Sequence, residues 1–196
     1  MPDFADLTLA EVMDAVAARD PTPGAGPTLA WTCALAAALV EMVSAVTLRQ
    51  EPTDPDAVQA RRERAEVLRT EALALADRDA AAYARVLAVQ RRREEPGHPQ
   101  RLRQALADAA DPLVSIVQTA GEVVELAVAA VGDARGGVRG EAITALVLAE
   151  AVARGAVPLV ELNLAGAPSD PRWALVSDVA GAAAEALHRT QAARPG

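Results

Sequence analysis

From Pro21 to Val40 the chain carries no charged residue, in a sequence where 23% of positions are Asp, Glu, Lys or Arg. A run of that length either spans a bilayer or lies inside a protein core. It opens with Pro21-Thr22-Pro23-Gly24-Ala25-Gly26-Pro27, which cannot begin as regular helix, and Glu41 follows at once. The expectation is therefore a buried central helix with no membrane partner. Pro27 fits its first turn, where a missing N–H would be unpaired anyway, and the helix should run to about Arg49.

What surrounds such a helix is limited by composition. Apolar residues make up 52% of the chain but aromatic ones only 2%, and Ala, Leu and Val dominate. That favours closely packed helices over a sandwich of sheets, whose faces need aromatic and β-branched residues. With 196 residues, the chain suits one all-α domain covering 1–196, a bundle of long helices. Its formal charge of −8 opposes binding to nucleic acid, which draws affinity from clustered Lys and Arg. Cys33, the only cysteine, sits in the apolar run and cannot form an internal disulfide. The first twenty residues are acidic and amphipathic, without the basic and apolar regions of a secretory signal, so a cytoplasmic location is expected.

Periodicity divides the remainder. Leu9, Val12, Met13 and Val16 make a first helix to about Arg19, with Thr8 and Glu11 spaced as a capping box, and 20–26 form a loop. Asp54 caps and Pro55 starts a third helix that continues to about Arg93. Pro96-Gly97-His98-Pro99 breaks the chain before the stripe Leu102, Leu106, Ala109. At Asp111-Pro112 two readings stay open: a new helix capped by Asp111, or one long helix kinked at Pro112. The pattern from Leu113 to Val131 ends in a Gly-rich turn over 132–137, and the next helix is expected near Glu141, kinked or broken at Gly155 and Pro158. A last amphipathic helix starts at Ser169 to Pro171, ends near Arg189, and should leave 192–196 frayed.

Several stretches carry a resemblance, in order along the chain. Pro21 to Pro27 looks like the PTPGGGS signature of the cyclodeaminase/cyclohydrolase family. Ala74 to Ala88, ALADRDAAAYARVLA, resembles that family's acidic pair followed by an aromatic residue. Ala149 to Leu164, AEAVARGAVPLVELNL, resembles its AEAALRGALLNVRINL region. Gly132 to Ala142 falls where the family has an Asn-containing turn ending in Ser-Asp. The chain departs from the family at Pro27 for Ser, at Gly137 for Asn, at Gly140-Glu141 for Ser-Asp, and at Arg91-Arg92-Arg93-Glu94 for Lys-Leu-Pro-Lys.

The resemblance implies an all-helical homodimer acting on a one-carbon-substituted tetrahydrofolate. Either formimidoyl-tetrahydrofolate cyclises with loss of ammonia, or methenyl-tetrahydrofolate is opened by water. It implies no metal and no cofactor beyond the folate. Long Ala/Leu/Val faces, more than one thin bundle hides, point to a homodimer independently.

Both reactions move protons, so a carboxyl group titrating near neutrality is the economical catalyst. Glu141, at the Ser-Asp position, is the first candidate; otherwise it is an ordinary acidic residue in a first helical turn. Asp79, four residues before Tyr83, is the second; the pair shares a helix face and can hold a pterin edge or orient water. Gly24, Ala25 and Gly26 present backbone donors and the positive end of a helix dipole to a folate, or else make only a sharp turn. Arg91 can attract the glutamate tail, unless the Arg run is merely solvated. Glu41, on an otherwise apolar helix, must reach solvent, a cleft or a partner. His98 and His188 have no ligand spacing and receive no metal role. A non-catalytic folate-binding or interaction module of the same fold is the alternative, supported by the changes at Pro27, Gly137 and Gly140.

Overall fold

The computed structural model describes residues 7–193. Six helices follow one another, α1 (Leu9–Ala17), α2 (Ala25–Leu48), α3 (Pro55–Gln90), α4 (His98–Asp133), α5 (Val138–Leu164) and α6 (Arg172–Ala192), with no strand among the described residues. α2 lies against α3, α4 and α5, and α6 closes the far side against α4 and α5. Small side chains allow this close approach. Ala30, Ala36 and Ala37 of α2, Ala72 and Ala76 of α3, Ala120 and Ala127 of α4, and Ala149 and Ala153 of α5 are all fully buried in one continuous core. By length and composition alone, α2, α4 and α5 could each cross a membrane; here they pack on one another.

The element boundaries have local causes. Thr8 and Glu11 form the expected reciprocal capping box, with Glu11 N–H donating to Thr8 Oγ1 at 3.3 Å and Thr8 N–H to Glu11 Oε2 at 2.8 Å. That helix stops at Ala17, two residues early, because Ala18 is already extended. α2 begins at Ala25, two residues before Pro27, with Gly24 as a non-helical N-cap. Asp54 accepts from Ala57 N–H at 3.0 Å, and Pro55 opens α3 as expected. α3 ends at Gln90 rather than Arg93, since the exposed 91–95 segment offers no apolar face and turns instead, helped by Gly97 at φ 75°.

Of the two readings at Pro112, the single long helix holds. Pro112 is buried inside α4 between Ala110 and Leu113, where packing offsets the roughly 3 kcal/mol that an internal proline costs. Pro158 is likewise carried inside a continuous α5. α5 starts at Val138, three residues before the expected Glu141, after Gly136 reverses the chain at φ 62°. α6 runs three residues past Arg189; of the expected frayed end, 194–196 lie outside the described residues.

Apart from Asp79, buried charge is paired. Arg61, in α3, donates from Nε to Ser44 Oγ at 3.1 Å and from Nη1 to Asp133 Oδ2 at 2.7 Å, joining α2, α3 and α4. Glu41 meets Arg69 Nε at 3.0 Å, so its partner is an arginine of the neighbouring helix. Glu150 meets Arg154 at 2.8 Å one turn along α5.

Candidate functional site

At one end of the bundle, helix α2 starts against the second half of α3, and the gap they leave is walled by α4 and the last turns of α5. It is a cavity of about 350 Å³, within the range of small-molecule sites. Three segments give it character. Pro21, Thr22, Gly24, Ala25 and Gly26 form one wall; Asp79, Tyr83, Val86 and Gln90 form the second; and Leu106, Leu113, Leu159, Leu162 and Asn163 are among those that close it. The α3 residues follow at spacings of four, three and four, the repeat that puts side chains on one helix face.

The α2 end is built to expose backbone. No side chain caps it, and Pro27 supplies no N–H. Thr28 N–H already binds Gly24 C=O at 3.2 Å. Among the described residues, the N–H groups of Ala25 and Gly26 have no acceptor, so the positive end of the helix dipole faces the cavity.

Asp79 sits directly against this end. A Cβ on Gly26 would lie 2.2 Å from Asp79 Oδ2 and 2.6 Å from Oδ1, so only glycine leaves the carboxyl group its place. The residue is 9% exposed, and among the described residues no hydrogen bond or ion pair reaches its side chain. Burial without a compensating partner disfavours the charged form and pushes Asp79 up from 3.8 to about 6. A carboxyl group with that affinity can hold or release a proton near neutral pH. Thr22 Oγ1, also at the cavity, is buried with no partner.

Gly24, Ala25, Gly26, Asp79 and Tyr83 are thus brought together, although 53 positions separate Gly26 from Asp79. Arg91 stands just outside. It lines a wider surface depression with Arg92, Arg93 and Glu95, which meets the cavity at their shared residue Gln90. Glu141 is exposed in the first turn of α5, roughly 27 Å along that helix from Leu159 at 1.5 Å per residue. Within one chain it does not reach the cavity. Sequence reasoning missed Thr22, Gln90, Asn163 and the apolar closure by Leu106 and Leu162. Gln90 was within reach, since it continues the Asp79–Tyr83 spacing; a leucine carries no mark that tells a cavity wall from core. Among the described residues, no three His, Cys, Asp or Glu side chains converge as metal ligands would.

Comparison with known proteins agrees with this fold. The family model described as formiminotransferase-cyclodeaminase matches residues 8–188. Among solved structures, the chain is similar to formiminotetrahydrofolate cyclodeaminase from Thermotoga maritima. The TM-score is 0.79 and the identity 22%, over 95% of this chain and 92% of that one. At that identity the likeness establishes the fold. No curated protein matches.

Proposed function

Since the chain belongs to the formiminotransferase-cyclodeaminase family, we propose that it acts on a one-carbon-substituted tetrahydrofolate in the cavity between α2 and α3, with Asp79 as its acid–base group. The observation that carries this reading is the unpaired Asp79 carboxyl group, held at about 6 against the open N-terminus of α2. In methenyl opening, ionised Asp79 takes one proton of the attacking water and returns it to the folate nitrogen as its bond to carbon breaks, while the hydroxyl proton leaves to solvent as the formyl C=O forms. In cyclisation of a formimidoyl group, the same carboxyl group accepts the proton of the attacking folate nitrogen and delivers one to the departing ammonia. Either cycle restores the starting protonation state, and a group titrating near the working pH serves both half-steps.

The free N–H groups of Ala25 and Gly26 suit a carbonyl or carboxylate of the ligand. Tyr83, one turn from Asp79, offers a hydroxyl and a ring for the pterin. Arg91 and its neighbours suit the carboxylates of a glutamate tail leaving past Gln90.

The test is to mix the protein with methenyl-tetrahydrofolate, following loss of its absorbance, and separately with formimidoyl-tetrahydrofolate, following ammonia release, with a binding titration beside each. Turnover that falls a hundredfold or more in Asp79→Asn supports the proposal; turnover unchanged in that variant overturns the role of Asp79. A folate-binding module without catalysis is the second reading, favoured by Pro27, which removes a donor from the α2 end. Saturable binding with no turnover of either substrate would select it.

A further inference from the structure

Charge is unevenly placed in the cavity. Asp79 is the only charged residue that lines it, Tyr83 is the only other that titrates, and no Lys, Arg or His stands among its described walls. Arg91 lies beyond Gln90, in the depression outside. The Asp79 carboxyl group is 9% exposed, and no side chain or backbone donor of the fold compensates its charge. An ionised carboxylate so placed is costly until a ligand brings a positive charge to it. A neutral ligand of the same shape leaves that cost in place, whereas a cation removes it.

Three polar features follow one another along the start of α2. Thr22 Oγ1 is buried without a partner. The N–H groups of Ala25 and Gly26 are free. The Asp79 carboxyl group then lies against Gly26, where an added Cβ would stand 2.2 Å from Oδ2. A hydroxyl able to accept, a pair of donors and an anion thus succeed one another. The complementary ligand edge carries an N–H, a carbonyl oxygen and a cationic carbon–nitrogen group, in that order. The pterin of a tetrahydrofolate has such an edge: a ring N–H, the adjacent carbonyl, and beyond it the ring nitrogen that bears the one-carbon group. That carbonyl oxygen and the substituted nitrogen are close neighbours on the ring, as the α2 amides and Asp79 are neighbours across Gly26. In the formimidoyl and methenyl forms the one-carbon group is a planar amidinium-type cation, and in the formyl forms it is neutral.

We propose that Asp79 is the counter-ion of a cationic one-carbon group, with the pterin carbonyl on the N–H groups of Ala25 and Gly26 and the neighbouring ring N–H on Thr22 Oγ1, so that the cavity takes amidinium-bearing ligands and rejects neutral ones of the same shape. The ligand's identity as a folate rests on the reading above; the preference for a planar cation rests on the cavity's own groups. Tyr83, one turn from Asp79, offers a ring face to the same cation. A bound cation holds Asp79 in its ionised form, the form that takes a proton from water. Opening of a methenyl group leaves a neutral formyl product, which this carboxylate no longer holds. Cyclisation of a formimidoyl group leaves a methenyl cation, which it retains.

Rapid-mixing titrations read ahead of turnover compare methenyl-tetrahydrofolate with neutral 5-formyl-tetrahydrofolate. Wild type should bind the cation at least about tenfold more tightly, and Asp79→Asn, which keeps the shape, should bind the two about equally. A second arm leaves folate out. Benzamidinium, a planar amidinium, should raise the Tm of wild type and not that of Asp79→Asn, and neutral benzamide should raise neither. Equal affinity of wild type for the two folates, or a benzamidinium shift that survives in Asp79→Asn, overturns the counter-ion role while leaving folate binding in place. If no folate binds and benzamidinium still shifts wild type alone, the folate reading fails and the cation site stands. If neither binds, both fail. The 4-amino counterpart of methenyl-tetrahydrofolate sets a donor against the Ala25 and Gly26 donors, and should bind at least about tenfold more weakly than its parent. Equal binding of those two overturns the placement of the carbonyl.

Discussion

Asp79→Asn should make the protein more stable at neutral pH while removing its activity. In the unfolded chain this carboxyl group titrates at its ordinary 3.8, and in the fold at about 6. Between those values the folded state holds a proton that the unfolded state has lost, so stability falls as pH rises through the window and the full penalty is present above pH 6. Two pKa units correspond to about 3 kcal/mol. The side chain borders an open cavity, where water relieves part of the burial, so about 2 kcal/mol is the expected gain. Asparagine keeps the shape against Gly26 and cannot ionise. For a chain of this length, 2 kcal/mol raises Tm by about 4–8 °C. Urea unfolding of both proteins at pH 4, 6 and 8 measures the effect. The stability difference should grow from pH 4 to pH 6 and be nearly level between pH 6 and pH 8. A difference independent of pH would mean that Asp79 is not ionising against burial, and the account of its proton affinity would be wrong.

Three further outcomes follow from the same packing. Gly26→Ala inserts a methyl group where the Asp79 carboxyl group lies, so it should lower stability by about 1–3 kcal/mol and weaken folate binding, measured by urea unfolding and titration. Gly121→Ala would set a Cβ 2.7 Å from Val179 Cγ1 between α4 and α6. It should cost about 1–3 kcal/mol yet leave folate binding intact, which separates crowding as such from crowding at the cavity. Burial pushes the Cys33 thiol up to about 12, so a thiol reagent at pH 8 should label it only as fast as the chain unfolds; rapid labelling of the native protein would show that α2 is not sealed in the core.

Most of the helical framework was legible because its signals are local. Thr8 with Glu11 and Asp54 with Pro55 each act within one turn, and the charge-free run could pack only as a buried helix or enter a membrane. Pro112 and Pro158 were ambiguous, since continuation depends on neighbouring helices that no local window contains. The start of α5 was placed late because Val138, Arg139 and Gly140 carry no start signal, and only the fold shows that Gly136 turns the chain. At the cavity, spacing put Asp79 and Tyr83 on one face. That Asp79 touches Gly26 was not legible, because the contact is made by packing α2 on α3. Glu141 was marked by resemblance alone, which carries no distance.

The contact between Gly26 and Asp79 also limits how this sequence can drift. Any side chain at 26 needs a shorter one at 79, so enlargement of 26 is selected against until 79 has been shortened. Relatives that retain the cavity should therefore show the two positions varying together: glycine at 26 wherever a carboxylate is kept at 79, and larger residues at 26 only where 79 has become small. Where 79 has become small this constraint on 26 should lapse first, before the alanine rows that hold the helices together begin to change.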